Sequence, residues 1–147
     1  MNAYRASAVI SADAAAIWDL LVDVAAWPRW NPTVEKAEGR GIAGAALTIY
    51  PANMNGRAFP VKVTECLPHE KLTFVGGMPL GLFRGTRTFT LTPAGPGAVE
   101  FTTSETFTGL LAPLIMRVMP DLQPSFDAFV RALKSAAEAR GAAGRAA

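Results

Sequence analysis

Residues 3–10 alternate, with Tyr4, Ala6, Ala8 and Ile10 on one parity. That period of two marks a strand with one buried face. The period then changes. Ser11 or Asp13 offers a helix N-cap, and Ile17, Leu20, Leu21 and Val24 follow at helical spacing with Trp18 beside them. The run Trp27-Pro28-Arg29-Trp30-Asn31-Pro32 ends this helix, because each proline disfavours helical geometry in the residue before it. Segments 33–38, 45–50, 58–66, 70–76, 82–93 and 97–107 are rich in Val, Thr, Phe and Ile and read as six further strands. Their connections carry Gly39, Gly41 and Gly44, then Asn53, Asn55 and Gly56, then Pro68-His69, then Pro93 to Gly97. Connections this short favour antiparallel neighbours.

The last third returns to helical spacing. Leu110, Leu111, Leu114, Ile115, Val118 and Met119 form one apolar stripe, which Pro120 interrupts. Phe126, Phe129, Val130, Leu133 and Ala137 form a second, with Arg131, Lys134, Glu138 and Arg140 on the other side. This second stripe predicts an amphipathic helix of about four to five turns. The order is strand, helix, six strands, long helix, an α+β arrangement. A sheet with one apolar face needs a cover, and the final helix is the only element long enough to lie across it. Residues 1–140 therefore form a single domain. The Gly/Ala-rich segment 141–147, which lacks apolar periodicity, is expected to be a flexible tail.

Composition removes several function classes. The net charge is only +2 and the basic residues are scattered from Arg5 to Arg145, so the basic stripe of a nucleic-acid binder is missing. Cys66 and His69 are the only residues of their kinds, which excludes an internal disulfide and any Cys- or His-rich metal site. No cofactor is implied. No apolar run approaches the ~20 residues that span a bilayer, and no secretory leader is visible. The default compartment is the cytoplasm, and the chain is expected to be a monomer or a homodimer.

Several local strings carry a resemblance. They are Ile17-Trp18-Asp19-Leu20-Leu21-Val22-Asp23, Trp27-Pro28-Arg29-Trp30-Asn31-Pro32, Phe83-Arg84-Gly85-Thr86-Arg87-Thr88-Phe89 and Glu105-Thr106-Phe107-Thr108-Gly109. In order and spacing they resemble the START-like superfamily, also called SRPBCC or Bet v 1-like, and within it the bacterial polyketide cyclase/dehydrase-like branch. The resemblance implies a helix-grip fold, in which a seven-stranded antiparallel sheet grips the C-terminal helix around a ligand cavity. It also implies a hydrophobic small-molecule ligand such as a lipid, polyketide or quinone. The superfamily shares no catalytic motif, so the catalytic residues stay unknown.

Strand parity gives an independent view of the cavity. In 83–91 the apolar parity holds Phe83, Gly85, Arg87, Phe89 and Leu91, and in 97–107 it holds Val99, Phe101, Thr103, Glu105 and Phe107. Arg87 and Glu105 are then inward charges on adjacent strands. They lie diagonally if Leu91 faces Val99, and directly opposite if the register is two residues away. An ion pair is expected between them. It serves either as a self-neutralising structural pair or as the polar anchor of a greasy pocket, with Thr103 adding a hydroxyl. Phe59, Val61, Val63, Phe74, Phe89, Phe101, Phe126 and Phe129 are expected as apolar walls. Met78, Leu80, Leu111 and Met116 are candidates for a gate near 78–83 and 110–116 or for ordinary core. Glu65 is either a second inward carboxylate or an exposed residue at the sheet end.

Trp27 and Trp30 are read as plugs of the sheet end rather than stacking platforms. His69 is read as an exposed turn residue, and Cys66 as a free thiol on the parity of Lys62 and Thr64. Three functions follow: binding of a hydrophobic molecule, a cyclase or dehydratase using Glu105 and Arg87, or a protein-interaction or stress-response module without a ligand. A cavity above ~300 Å³ favours the first two, and a filled interior favours the third.

Overall fold

The computed structural model of the chain describes residues 2–52 and 54–146, with the side chains of 4–52 and 54–141. Seven strands occur: β1 (Asn2–Ile10), β2 (Val34–Glu38), β3 (Ala46–Pro51), β4 (Phe59–Leu67), β5 (Lys71–Met78), β6 (Phe83–Pro93) and β7 (Val99–Thr108). Three helices accompany them: α1 (Ala14–Val22), α2 (Ala112–Val118) and α3 (Gln123–Ala146). The strands form one sheet in the order β1-β7-β6-β5-β4-β3-β2, with every pairing antiparallel. Hairpins join β2 through β7. The link between β1 and β2 is longer because it crosses from one edge of the sheet to the other, and α1 makes that crossing. The sheet curls around α3 in the α+β helix-grip arrangement.

Local chemistry sets these boundaries. The Asp13 carboxylate accepts from the Ala16 N–H at 2.9 Å, which caps α1 as the sequence suggested. A 3-10 turn at Val24–Arg29 follows, containing Pro28. Trp27 donates its indole N–H to the Leu21 carbonyl at 3.1 Å, so the largest side chain of the turn enters the core with its polar atom paired. On α3, Phe126, Phe129, Val130, Leu133 and Ala137 are buried, matching the predicted stripe. The polar side of α3 also guards an edge. Gln123 and Lys134 donate to the Arg5 and Val9 carbonyls of edge strand β1, each at 2.8 Å. Glu138 accepts from the Ser11 N–H at 2.9 Å. Free strand edges invite foreign pairing, and here α3 occupies part of one.

The β6–β7 register places Arg87 opposite Glu105, Phe89 opposite Thr103 and Leu91 opposite Phe101. The directly opposed arrangement is therefore the one adopted. A register shift between Val63 and Glu65 in β4 overturns one expectation, and the surface there decides between two others. Past the shift Cys66 pairs with fully buried Leu72 and packs against the core. It is thus inward, whereas unbroken alternation had turned it outward, because a bulge flips every later side chain. Glu65 pairs with Lys71 at 3.0 Å with both side chains about 40% exposed, so it is a surface residue. His69 is exposed in a turn at φ 67°. The expected turn after β3 is present at Met54 to Gly56, while Asn53 lies outside the described residues. The expected flexible tail falls where α3 is assigned to Ala146, but the side chains of 142–146 and the whole of Ala147 lie outside the described residues.

Candidate functional site

Between the curled sheet and α3 lies a cavity of about 250 Å³. Apolar groups from five elements build its wall: Trp27 from the 3-10 turn, Ile49 from β3, Phe59 and Val61 from β4, Phe74 from β5, and Phe126 and Phe129 from α3. Met54, Met119 and Leu122 border it from the connections after β3 and around the start of α3. Arg87 and Glu105 supply its charge.

Strand glycines make the room. Gly76 and Gly85 are register partners, and both line the cavity. A Cβ at Gly85 would come within 3.2 Å of the Phe107 ring and 3.3 Å of the Glu105 carboxylate. One at Gly76 would meet Val61 at 2.8 Å and the Pro60 carbonyl at 2.9 Å. Glycine inside a strand gives up packing and backbone entropy, and often marks a close approach of this kind.

Arg87 is held among aromatic faces. Its guanidinium carbon lies 4.2 Å from the Phe126 ring centroid, 4.9 Å from Phe129 and 5.1 Å from Phe89. Its Nε–H donates to the Thr103 hydroxyl at 3.2 Å. The expected ion pair does not close. Among the described residues, the bridges within 4.0 Å are Lys36–Glu38, Lys71–Glu65 and Lys134–Glu138. Thr103 and the ring faces draw the guanidinium away, and the Glu105 carboxylate makes no hydrogen bond among the described residues. Arg87 and Glu105 interact through space.

Burial sets the electrostatics. It lowers the Arg87 guanidinium to about 10, opposed by the nearby Glu105 charge. It raises the Glu105 carboxyl from 4.5 to about 7, opposed by Arg87. Desolvation disfavours whichever form is charged, and here it outweighs mutual attraction on both sides. Near neutral pH Glu105 is divided between acid and carboxylate while Arg87 stays cationic. The site offers one fixed positive charge and one group able to give or take a proton.

The thirteen residues singled out from the sequence divide into two groups. Arg87, Glu105, Phe59, Val61, Phe74, Phe126 and Phe129 border the cavity. Thr103 does not, since it is fully buried behind Arg87. Val63, Phe89 and Phe101 are also fully buried, in the packed core beyond the cavity's inner end. Met78 and Met116 are 43% and 36% exposed and lie outside the wall, so the methionines at the cavity are Met54 and Met119 instead. The expected opening near 78–83 and 110–116 touches the cavity only at Phe83. Gly76, Gly77, Thr33, Met54 and Ser125 also line the cavity and were not among the expected site residues. Interior strand glycines were the available signal for the first two. Thr33 and Met54 sit on connections whose path depends on tertiary packing, and Ser125 is a polar residue in the first turn of α3.

Fold and interior together define a helix-grip protein with one charged spot in an apolar chamber. Residues 1–138 match the polyketide cyclase / dehydrase and lipid transport family, and the chain belongs to that family. No curated protein matches the sequence. Among solved structures, the chain is similar to the Zhui aromatase/cyclase from Streptomyces sp. R1128. The identity is 15%, the TM-score 0.74, and the match covers 95% of this chain and 96% of that one. A hypothetical protein, jhp0584, from Helicobacter pylori is 13% identical with a TM-score of 0.74, over 91% of this chain and 86% of that one. The di-domain ARO/CYC BexL from the BE-7585A biosynthetic pathway is 16% identical with a TM-score of 0.70, over 94% of this chain and 46% of that one. At such identities the likeness speaks for the fold. No described helix is long and apolar enough to cross a membrane.

Proposed function

We propose that the chain binds a small, largely apolar molecule of the lipid, polyketide or quinone-like kind, and that Arg87 anchors an oxygen of that ligand. The observation that carries this reading is the charged Arg87–Glu105 spot in a largely apolar wall. Small-molecule sites take this form, with apolar walls giving affinity and a few polar groups fixing orientation. The cavity, at about 250 Å³, falls just below the usual lower bound of ~300 Å³, which argues for a compact ligand of one or two rings or a short acyl segment. An interior that is not filled counts against the ligand-free interaction module.

Trp27 lines the cavity, so its fluorescence reports occupancy. Titration with naphthoquinones and short-chain fatty acids is expected to give saturable quenching, weakened about tenfold or more in Arg87→Met as a charge-assisted contact is lost. No saturable ligand in that series, with no bound mass in native mass spectrometry, would reject the reading. Quenching that survives in Arg87→Met would reject the anchor.

A second reading is favoured by Glu105 at about 7. A carboxyl with this affinity for protons suits general acid–base work near neutral pH, as a cyclisation with loss of water requires. The likeness to an aromatase/cyclase is compatible with it. Under this reading Glu105→Gln binds ligand normally and loses turnover, and equal turnover in the variant removes Glu105 from the chemistry.

A further inference from the structure

One face of the molecule has a composition that the fold does not explain. Leu80, Leu110, Leu114 and Val118 are 95%, 83%, 62% and 81% exposed. They belong to one surface, because the β5–β6 turn packs on the approach to α2. The Leu111 N–H donates to the Leu82 carbonyl at 2.8 Å, and a Cβ at Gly109 would lie 2.6 Å from the Gly81 carbonyl. Leu114 and Val118 stand at i, i+4 on α2 and so share one side of that helix, and Leu110 lies in the turn that leads into it. Leu80 is held at φ 62°, a left-handed conformation that suits Gly or Asn and strains a branched apolar side chain. Exposed apolar groups scattered singly need no explanation, but a contiguous cluster does.

The charge around this cluster has one sign. Segments 54–62, 76–86 and 106–119 contain no Asp or Glu. They contain Arg57, Lys62, Arg84 and Arg117, all exposed. The neighbouring carboxylates are engaged elsewhere: Glu105 lines the cavity, and Asp121 accepts from the Gln123 N–H at 3.0 Å. A symmetric dimer through this face would set the face against its own copy and bring like charges together without a carboxylate to pair them. A surface carrying both negative charge and apolar depth has no such conflict.

We infer that this face is a docking site for an anionic lipid bilayer surface, with Leu80, Leu110, Leu114 and Val118 entering the interface and Arg57, Arg84 and Arg117 meeting headgroups. Such a mode needs apolar contact plus basic charge and no spanning segment. Met119, the C-cap of α2, borders the cavity, so docking brings that rim towards the lipid. The inference stands whether or not the cavity holds the proposed ligand.

The test is co-sedimentation of the full chain with vesicles of phosphatidylcholine alone and of phosphatidylcholine with about one-third phosphatidylglycerol. About 1 kcal/mol per basic residue near an anionic surface is about fivefold each. Three arginines therefore give an expected preference for anionic vesicles on the order of a hundredfold, falling steeply with salt. Arg84→Glu with Arg117→Glu is expected to remove most of that preference. Leu110→Ser with Leu114→Ser is expected to weaken binding about tenfold or more with an unchanged far-ultraviolet circular dichroism spectrum and melting temperature. Leu80→Gly separates docking from folding, since it is expected to hold or raise the melting temperature while weakening vesicle binding. Absence of binding to anionic vesicles overturns the inference, as does equal binding by the leucine variants. A dimer in sedimentation velocity that Leu114→Ser dissociates overturns it in favour of self-association.

Discussion

The inner face of the sheet has two ends built from the same strands. At one end Phe89, Phe101 and Leu72 meet Phe129 and Leu133 of α3, and all five are fully buried. Their aromatic rings lie 5.6 to 6.3 Å apart. At the other end Phe59, Phe83 and Phe107 keep partial exposure around the cavity. The chemistry of the two ends is alike, since each is aromatic and aliphatic. The difference is volume left out. Where the closed end has Leu72 and Phe89 facing each other, the open end has Gly76 facing Gly85. Where α3 sends Leu133 into the closed end, it presents Ser125 at the open one, and Phe129 stands at the boundary. Arg87 stands between them, with its stem among the core rings. The open end is thus the same core with side chains withheld, and stability and binding should separate along the boundary.

The strongest way to break this comparison is Phe101→Ala, at a ring that is fully buried and off the cavity wall. Truncating a fully packed ring removes its transfer energy and leaves a void, at a typical cost of about 3–5 kcal/mol, so urea denaturation should show a loss in that range. A loss below about 1.5 kcal/mol would mean that the closed end is not close-packed.

Next comes Arg87→Met, which removes the boundary charge while keeping much of the stem's volume. It leaves Glu105 with no cation to oppose its desolvation. At pH 8 the folded variant must either bury the unopposed carboxylate or hold a proton that the unfolded chain releases, and the expected cost is about 2–3 kcal/mol, somewhat below the loss seen when fully buried pairs are broken. At pH 5, with Glu105 protonated, the cost should shrink to the lost ring contacts, about 1 kcal/mol. An equal cost at both pH values would show that Arg87 supports the fold by packing alone.

The wild-type protein should itself report Glu105. Folded, this carboxyl holds its proton to about 7, against an ordinary 4.5. The folded state therefore binds more protons between those values, and stability falls as pH rises through that window. The full displacement sets a ceiling of about 3 kcal/mol. Water reaching the carboxyl from the cavity reduces the expected loss to about 1–2 kcal/mol. The other displaced groups act outside this window: Glu138 is held below 4.5 by Lys134 and the Ser11 N–H, and Arg87 titrates near 10. Denaturation curves at pH 5 and pH 8 for wild type and Glu105→Gln should differ in slope, and parallel behaviour would reject the raised carboxyl.

The two ends were not equally legible in the sequence. Alternation in β6 and β7 puts Arg87 and Glu105 on the apolar parity, and the helical stripe from Phe126 to Ala137 points to the gripping helix, because burial writes a period into each element. Parity does not say how far along a strand the packing stops. Val63, Phe89 and Phe101 share their parity with true cavity residues and yet sit in closed core. Nor does it register a bulge, which is why Cys66 reads as outward. The wall residues Thr33 and Met54 belong to connections, whose course depends on the assembled sheet. Gly76 and Gly85 were visible as interruptions of strands, but their meaning as empty volume depends on the pairing that sets them opposite each other.

The smallest expected effect on stability sharpens the comparison most. Phe59 is partly exposed and lines the cavity, so its removal enlarges an existing space and makes no new void. Phe59→Ala should cost about 1 kcal/mol or less, well under the cost at Phe101, because little packed contact is lost. Its effect on a ligand should run the other way, since the ring supplies apolar wall that only an occupant uses. Truncation should weaken binding about tenfold at nearly constant stability, as expected for the loss of one well-packed apolar contact. Urea denaturation and Trp27 quenching on the same variant measure the two quantities separately. If Phe59→Ala instead loses as much stability as Phe101→Ala, the open end is structural core, and the division of the inner face into a packed half and a binding half fails.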